Sequence, residues 1–441
     1  MKVRFVTLGC KLNFAESSAI GKELLQRGHQ RASQSEVPDI CVVNTCSVTD
    51  AADHKDRQTI NQLHRKYPNA IIIVTGCYAQ LQPEQIAHIE GVDYVLGQNE
   101  KYSITQLVNE LCDSLEDGVP PTERPTGYSL EAQKIRVANI REVEEFHGVH
   151  SADDRTRCFI KVQDGCNYFC TYCTIPYARG KSRNPKIADV VKDAQEALHQ
   201  GAKELIITGV NIGDFGRSTG ESFIELLKAL DSLGEEATGR EAKGIDYRIR
   251  ISSCEPNLLT DEIIDFVANS KHFAPHFHIP LQSGSNEVLK IMKRRYTREL
   301  FAERVKHIKE VMPHAFIGVD CMVGVRGETE ERWEDYLTFV KGLDVSQLHV
   351  FTYSERANTQ MLEMDLYIVP KTERQRRSKI LHEVSAEKTK AFYAQHTGKK
   401  AIALWESKKE GDQMSGFTEN YIKVYRLYDK AKINTFEEII L

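Results

Sequence analysis

Short apolar runs alternate with amphipathic stretches over the first quarter of the chain. The runs that predict strands cover residues 3–8, 39–45, 70–76 and 92–97, and stretches with helical spacing cover 18–28 and 54–67. Buried strands that alternate with helices are typical of an open parallel α/β sheet. The pattern therefore predicts an α/β domain over residues 1–115.

A segment rich in proline, glycine and charge follows, and we interpret residues 116–150 as a linker with one or two strands. The alternation then resumes. Predicted strands cover residues 158–165, 204–211, 247–253, 276–283, 315–324 and 346–354, with helices between them, for instance at 187–201 and 260–270. About six parallel β/α units predict a partial or full (β/α) barrel over residues 151–380, with its chemistry at the C-terminal ends of the strands.

The pattern changes again near the C-terminus. Residues 371–396 have the period of one long basic amphipathic helix, and the remainder shows short alternating strands separated by turn signals. This predicts a small β-barrel domain over residues 381–441. Basic and aromatic residues interleave there: Lys408, Lys409, Phe417, Tyr421 and Lys423. Such a surface is typical of single-stranded RNA binding, although the aromatic residues would equally serve as the core of a small barrel.

Composition narrows the function classes. The 441 residues carry a net charge of −5, which does not indicate a nucleic-acid protein, although residues 290–310 and 371–379 are locally basic and could be solvated helix faces. Apolar runs fall short of the ~20 residues of a membrane span. Eleven cysteines, an odd number, do not suggest a disulfide scaffold. We therefore expect a cytoplasmic protein that does not associate with a membrane and that uses cysteine to bind metal.

Three cysteines carry the most specific signal. Cys166, Cys170 and Cys173 form a C-x-x-x-C-x-x-C run directly after the first predicted barrel strand. Three thiolates on one loop can hold a 4Fe–4S cluster by three irons, which leaves the fourth iron open to a cofactor or substrate. A zinc site would need further cysteine or histidine partners nearby, and scattered core thiols would not need this spacing. The run therefore indicates electron-driven radical chemistry.

A second set of cysteines follows three strands of the N-terminal domain. Cys10, Cys46 and Cys77 come directly after the first, second and third predicted strands. Because the carboxyl ends of parallel strands share one edge of a sheet, these thiols could converge on a second cluster. They could also be unrelated buried thiols, which is how we interpret the remaining cysteines: Cys41, Cys112, Cys158, Cys254 and Cys321.

Longer segments identify a family resemblance. The cysteine loop GCNYFCTYCTIPYARGKSR resembles the most characteristic segment of the radical S-adenosylmethionine methylthiotransferases, and so do TGVNIGDFG, PLQSGSNEVLKIMKRRYT and SGFTENYIKVY elsewhere in the chain. The order of an N-terminal cluster domain, a radical barrel and a C-terminal TRAM domain is also that of the family. The opening LGCKLNFAES resembles the branch that methylthiolates N6-threonylcarbamoyladenosine at position 37 of tRNA.

The resemblance implies roles for particular residues. It implies that Cys166, Cys170 and Cys173 hold the cluster that binds S-adenosylmethionine, and that Cys10, Cys46 and Cys77 hold a second 4Fe–4S cluster. The residues expected to contact S-adenosylmethionine are Tyr172, Gly209, Asn211, Ser253, Glu255, Gln282 and Ser283. Ordinary loop packing is the alternative for Tyr172, and capping of the following helix is the alternative for the residues at the later strand exits. Asp320 would be cofactor-facing or structural.

The resemblance also implies partners and leaves alternatives. It implies two molecules of S-adenosylmethionine per turnover, an anticodon stem-loop of tRNA as substrate, and an electron donor such as flavodoxin or ferredoxin; the sulfur donor is unknown. The alternatives are a methylthiotransferase that acts on isopentenyladenosine in tRNA or on a ribosomal-protein aspartate, and a non-enzymatic iron–sulfur RNA-binding protein. Arg326 and the pair Ala357–Asn358 replace proline and Pro-Gly of the family pattern, which questions the loop shape at the barrel mouth.

Overall fold

The computed structural model describes residues 1–33, 35–116, 134–151, 156–233 and 247–441. Within them, the N-terminal sheet has the strand order β2-β1-β3-β4-β5-β6, and all its pairs are parallel. Its strands are β1 Lys2–Thr7, β2 Gln30–Arg31, β3 Ile40–Thr45, β4 Ile71–Gly76, β5 Val92–Leu96 and β6 Ile135–Arg136. Its helices are α1 Lys11–Gln26, α2 Asp50–Lys66, α3 Cys77–Leu81, α4 Pro83–Ala87 and α5 Ile104–Glu116. The predicted open parallel sheet is confirmed, and β6 adds two residues of the predicted linker to its edge.

The central domain is a partial (β/α) barrel. Two parallel sheets, β7-β8-β9 and β10-β11-β12, are joined by a parallel bridge between Ser253 and His278. The strands are β7 Arg157–Lys161, β8 Glu204–Thr208, β9 Arg248–Ile251, β10 His276–Gln282, β11 Phe316–Val323 and β12 Gln347–Thr352. The helices are α6 Ile175–Arg179, α7 Ile187–His199, α8 Phe223–Asp231, α9 Asp261–Asn269, α10 Asn286–Ile291, α11 Arg298–Val311 and α12 Glu330–Gly342.

Strand side chains of the barrel divide between two environments. Ile160, Ile207, Ile249, Ile279 and Val319 pack outward against the helices in one large apolar core. Because side chains alternate along a strand, the residues between them face the lumen. The lumen is polar and includes Lys161, Glu204, Arg250, His278 and Asp320. The apolar runs of the sequence thus mark the strand faces that pack on the helices. The polar side chains of the same strands face the lumen.

Helix α13, Lys371–Ala394, leads from the barrel to the C-terminal domain. It packs on β12, where the Ser385 hydroxyl contacts the backbone N–H and carbonyl of Leu348 at 3.0 and 2.9 Å. The helix runs through the boundary that we predicted between residues 380 and 381. The C-terminal strands are β13 Lys400–Glu410, β14 Gln413–Phe417, β15 Lys423–Leu427 and β16 Phe436–Ile440. They form a curled antiparallel sheet of order β15-β14-β13-β16, a half-barrel, as expected of a small β domain.

A buried ionic cluster joins the N-terminal domain to the barrel. Glu16 on α1 accepts from Lys101 at 2.6 Å, from Arg179 at 3.0 Å and from Lys161 at 3.5 Å. Asp164 accepts from Arg179 at 3.1 Å and from Lys161 at 2.8 Å. Burial alone would raise the pKa of Glu16, but Arg179 and the two lysines outweigh it and lower this pKa to about 2. The two domains therefore meet through interlocking charges that are removed from water.

Short 3₁₀ turns complete the secondary structure of the described residues, at Glu100–Ser103, Ile140–Glu142, Ile212–Asp214, Gln360–Glu363 and Lys430–Lys432. No helix among those described is long and apolar enough to cross a bilayer.

Candidate active site

The loop that carries Cys166, Cys170 and Cys173 lies between β7 and α6 and is fixed at both ends. The Cys166 N–H donates to the carbonyl of Gly180 at 3.0 Å, and the Cys173 N–H donates to that of Cys170 at 3.0 Å. Between them, the Thr171 hydroxyl donates to the carbonyl of Ile291 at 2.9 Å. Three thiols are thus presented from one constrained loop, as the spacing predicted.

The surroundings of these thiols fit a metal site, in which bound iron would stabilise the thiolates. Burial raises the pKa of Cys166 to about 11 and that of Cys173 to about 12, and it also raises the pKa of Cys170. Arg294 Nη1 lies 3.3 Å from Cys170 Sγ and opposes this shift. Since the thiolate is the metal ligand, thiols in such a place become ligands only when a bound cation compensates their charge.

Two of the predicted cofactor contacts lie at strand exits with unused polar atoms. The side chain of Asn211 is buried, and neither of its amide atoms has a hydrogen-bond partner in the described part of the chain. Gln282 likewise leaves Oε1 buried without a described partner, and its φ of 63° is in the left-handed region. Buried polar atoms normally find partners, and strained backbone tends to occur at functional sites. Asn211 and Gln282 therefore fit a polar ligand above the barrel.

The other predicted contacts are engaged within the protein. A Cβ at Gly209 would lie 2.8 Å from the carbonyl oxygen of Gln163, so chain packing by itself accounts for this glycine. The Ser283 hydroxyl accepts from the Ser285 N–H at 3.2 Å and is therefore engaged in the loop before α10, whose N-cap residue is Ser285. The Glu255 carboxylate pairs with Arg294, and burial raises its pKa.

Tyr172 and Ser253 also make contacts within the protein. The Tyr172 hydroxyl lies 3.4 Å from Arg294 Nη1, and its ring packs against the apolar cluster that contains Val288 and Tyr353. Ser253 forms the bridge to His278 that joins the two halves of the barrel. Their roles toward S-adenosylmethionine stay predictions.

The second set of cysteines lies at one edge of the N-terminal sheet. Cys10 is exposed directly before α1, and Cys46 and Cys77 are buried at the ends of β3 and β4. A Cβ at Gly9 would lie 2.9 Å from Cys46 Sγ, so the first two loops are packed closely. Burial, reinforced by the neighbouring Cys77, raises the pKa of Cys46 to about 12. The arrangement fits a second metal site with one exposed side.

The two cysteine loops are neighbours across the domain junction. The Thr174 hydroxyl, next to Cys173, donates to the carbonyl of Ser47, next to Cys46, at 3.4 Å. Arg356, which follows β12, donates to Ser47 Oγ and to Asp53 Oδ2, both at 2.6 Å. Both sets of thiols therefore lie beside the C-terminal ends of the barrel strands.

Sequence reasoning did not single out the residues that hold this junction together. The Asn13 amide donates to the carbonyls of Leu8 and Thr45, both at 2.9 Å, and accepts from Arg179 at 2.7 Å. The Cys10 thiol lies 3.7 Å from the same amide oxygen. Asn13 and Arg179 both belong to the segments that carried the resemblance, which was the available signal for them.

The residues predicted to bind RNA divide into two groups. Lys408 and Lys409 are exposed, and Lys423 is half-buried beside the Tyr425 ring. Phe417 and Tyr421 instead stack on each other with centroids 4.8 Å apart. Tyr421 also packs against His276 and Phe316 at the bottom of the barrel. For these two rings the structure favours the core alternative over a stacking platform for bases.

Most other cysteines are core residues, as expected. Cys41, Cys158, Cys254 and Cys321 are buried, whereas Cys112 on α5 is only half-buried.

Both departures from the family pattern occupy tight turns. The Glu328 N–H donates to the carbonyl of Val325 at 3.0 Å around Arg326 and Gly327, and Gly327 has a φ of 83°. The Thr359 N–H donates to the carbonyl of Arg356 at 3.3 Å around Ala357 and Asn358, and Asn358 has a φ of 62°. These are the features of type II turns, in which proline is common at the second position and glycine or asparagine fits the third. Both turns are therefore of a type that would also accept the proline and glycine of the family pattern.

Comparison with known proteins agrees with this architecture. Residues 160–340 match the model of the radical SAM superfamily, and residues 2–97 match that of the uncharacterized protein family UPF0004. The threonylcarbamoyladenosine tRNA methylthiotransferase MtaB of Bacillus subtilis (strain 168) is 36% identical over 430 residues, which are 96% of this chain and 89% of that protein. The chain belongs to the radical SAM methylthiotransferase family. It is an enzyme of that class.

One further relative and one solved structure show how far the similarity extends. The tRNA-2-methylthio-N(6)-dimethylallyladenosine synthase of Pelotomaculum thermopropionicum is 30% identical, covering 94% of this chain and 88% of that protein. A solved structure of the radical S-adenosylmethionine methyltransferase TsrM from Kitasatospora setae has a TM-score of 0.56 at 17% identity, covering 82% of this chain and 74% of that one. The latter likeness is one of fold alone.

Proposed function

We propose that this enzyme adds a methylthio group to C2 of N6-threonylcarbamoyladenosine at position 37 of tRNA, with two 4Fe–4S clusters and two molecules of S-adenosylmethionine per turnover. The observation that carries the proposal is the contact between the two cysteine loops through Thr174 and Ser47. A base at the barrel mouth would then be near both sets of thiols at once. The relatives named for threonylcarbamoyladenosine are more similar to this chain than the one named for dimethylallyladenosine, which favours the branch.

Each set of residues has a separate task in this proposal. Cys166, Cys170 and Cys173 would hold the cluster that supplies the electron for cleavage of S-adenosylmethionine, and Cys10, Cys46 and Cys77 would hold the cluster that supplies the sulfur site. Asn211 and Gln282 would orient the polar end of S-adenosylmethionine with the amide atoms that have no partner among the described residues. Arg294 would add to the stabilisation of the Cys170 thiolate once iron is bound, and it would hold Glu255 in place.

The anticodon loop of the tRNA would present the base to the barrel. A base in an anticodon loop is not locked in a duplex, so it can be splayed into the barrel mouth and read along its edges. Lys408, Lys409 and Lys423 would contact phosphates, which position the tRNA without reading its sequence. A small reducing protein such as flavodoxin or ferredoxin would supply electrons.

Nucleoside mass spectrometry of bulk tRNA tests the proposal. In cells from which the gene is deleted, we expect 2-methylthio-N6-threonylcarbamoyladenosine to disappear and its unmodified precursor to accumulate. A plasmid with the wild-type gene should restore the product, and one that encodes Cys170→Ala should not. Loss of the isopentenyladenosine product instead would move the enzyme to another branch. Unchanged tRNA with an altered mass of a ribosomal protein would assign it to a protein substrate.

A further inference from the structure

Three side chains of neighbouring barrel strands converge in the lumen, below the candidate active site. They are His278 on β10, Asp320 on β11 and His349 on β12. Their neighbours Phe277, Ile279, Val319 and Leu348 belong to the outer apolar core, so all three side chains lie on the lumen face. Asp320 and His349 are directly paired residues of adjacent parallel strands. The three side chains therefore converge because of the strand register and do not depend on a mobile loop.

The distances among the three groups are short. His278 Nε2 lies 2.6 Å from Asp320 Oδ1, and His349 Nδ1 lies 3.3 Å from each of these two atoms. Gly318 gives the rings room, since a Cβ there would approach His349 Cε1 to 3.2 Å. Two imidazole nitrogens and one carboxylate oxygen thus meet at a single point.

Hydrogen bonds satisfy this arrangement only when both rings donate to Asp320 Oδ1, and the same three groups can instead offer one lone pair each to a cation. Each imidazole nitrogen is either a donor or an acceptor. If both rings donate to Asp320 Oδ1, two N–H groups point at one oxygen from nitrogens that are 3.3 Å apart. If one ring accepts from the other, the accepting nitrogen has no proton to give to the carboxylate. A cation at the shared point would accept a lone pair from all three groups.

We propose that His278, Asp320 and His349 form a binding site for a divalent first-row transition-metal ion, separate from both iron–sulfur sites. Two imidazoles and one carboxylate are a ligand set that suits zinc, iron or cobalt. With Zn–N and Zn–O near ~2.1 Å, tetrahedral ligand atoms lie roughly 3.4 Å apart, so two of the three distances already fit. The third, between His278 and Asp320, has to lengthen by about 0.8 Å on that geometry.

The site has room for further ligands. A cavity of about 680 Å³ is lined by His349 together with Gln347, His382 and Lys390, between β12 and α13. Of the three groups, His349 alone lines this cavity, so a further ligand would have to approach from its side. This inference does not rest on the proposed function.

Zinc content and zinc K-edge EXAFS of the fully reconstituted enzyme test the proposal. The iron–sulfur clusters occupy the cysteines in that form, and the probe is Zn²⁺ added in excess and removed by gel filtration. We expect the wild-type enzyme to retain about one zinc per chain with nitrogen and oxygen scatterers near ~2.0–2.1 Å. The double variant H278Q/H349Q and the single variant D320N should bind zinc more than about 100-fold more weakly and should therefore lose it on the column. Even changes to residues that only support the ligands cost about 10–100-fold in metal affinity.

A matched control separates ligation from general damage. His382 lines the same cavity on α13 without being part of the trio, so H382Q should retain zinc as the wild type does. Iron and sulfide content and the unfolding temperature of each variant report on folding. The proposal is overturned if the wild type retains no more zinc than H278Q/H349Q, or if its EXAFS shows sulfur near ~2.3 Å, which would place zinc on cysteine.

Discussion

Glu204 on β8 is the charged residue on which the lower half of the barrel depends. It is fully buried, and its carboxylate accepts from Arg248 Nε at 2.5 Å and from Arg250 Nη2 at 3.1 Å. The same arginines donate to the carbonyls of Phe417 and Thr418 in the C-terminal sheet. One carboxylate thus positions two guanidinium groups that join two domains.

The protonation of Glu204 gives stability a defined pH dependence. Burial alone would raise its pKa, but Arg248 and Arg250 outweigh burial and lower the pKa from 4.5 to about 2. A depressed carboxyl pKa stabilises the fold above the unfolded value near 4.3, and this contribution is lost as the pH falls toward 2. A shift of that size corresponds to about 3 kcal/mol.

Glu204→Gln should therefore destabilise the protein by about 2–4 kcal/mol at pH 7, because two buried guanidinium groups lose their counter-charge. The difference from wild type should shrink as the pH falls from 4.5 toward 2.5. Denaturant unfolding of both proteins at each pH measures it. Glu262→Gln, which alters an exposed pair with Lys228, should cost less than about 1 kcal/mol at every pH. A Glu204→Gln deficit that does not change with pH would refute the assignment.

At the residue scale, the cysteines could be predicted from the sequence, but the buried polar residues that pair with distant charges could not. The spacing of Cys166, Cys170 and Cys173 is a local pattern, and Cys10, Cys46 and Cys77 each follow a predicted strand, so both trios could be proposed as ligand sets from the chain alone. Asn13, Glu16 and Glu204 have no such spacing, and a lone polar residue in a helix or strand is usually exposed. Their burial depends on charges from distant segments, as for Glu16 and Arg179.

Helix α1 shows where periodicity fails at the scale of elements. The apolar pattern predicted a helix over residues 18–28, and the helix begins at Lys11. Its first turns bury Leu12 and Ala15 together with the polar Asn13 and Glu16, which contact the ionic cluster, so buried polar residues interrupt the apolar period there. In the barrel, by contrast, strands such as β8 and β10 begin at the predicted residues because a continuous apolar face packs on the helices.

The turn at Asn358 allows a direct test of local geometry. Its φ of 62° is accessible to glycine and asparagine but costly for a β-branched residue. We expect Asn358→Gly to change the free energy of unfolding by less than about 0.5 kcal/mol and Asn358→Val to lower it by about 1–2 kcal/mol. Arg326→Pro serves as the companion variant and should cost about 1–2 kcal/mol, since it keeps the turn but loses the pair with Glu355 and the hydrogen bond to the Leu362 carbonyl.

Thermal and denaturant unfolding measure these three variants. Equal stability of the Asn358→Val and Asn358→Gly proteins would show that the backbone at this position is not left-handed.

At the scale of the whole molecule, function depends on which domains meet. The sequence predicted the three domains in order, and the open sheet, the barrel and the β domain were confirmed. It could not predict that the loop after β3 would contact the loop after Cys173, because those loops are more than one hundred residues apart and belong to different domains. Buried charges between α1, β7 and α6 hold the two domains together there, and Arg356 adds hydrogen bonds to Ser47 and Asp53.

The claim that both cysteine trios act on one substrate is tested most directly by removing one cysteine from each trio in separate variants. Cys46→Ala and Cys170→Ala enzymes would be reconstituted anaerobically and given dithionite, S-adenosylmethionine and an anticodon stem-loop containing N6-threonylcarbamoyladenosine. We expect Cys46→Ala to release 5′-deoxyadenosine without methylthiolated RNA, and Cys170→Ala to yield neither. Methylthiolated product from the Cys46→Ala enzyme would contradict the account.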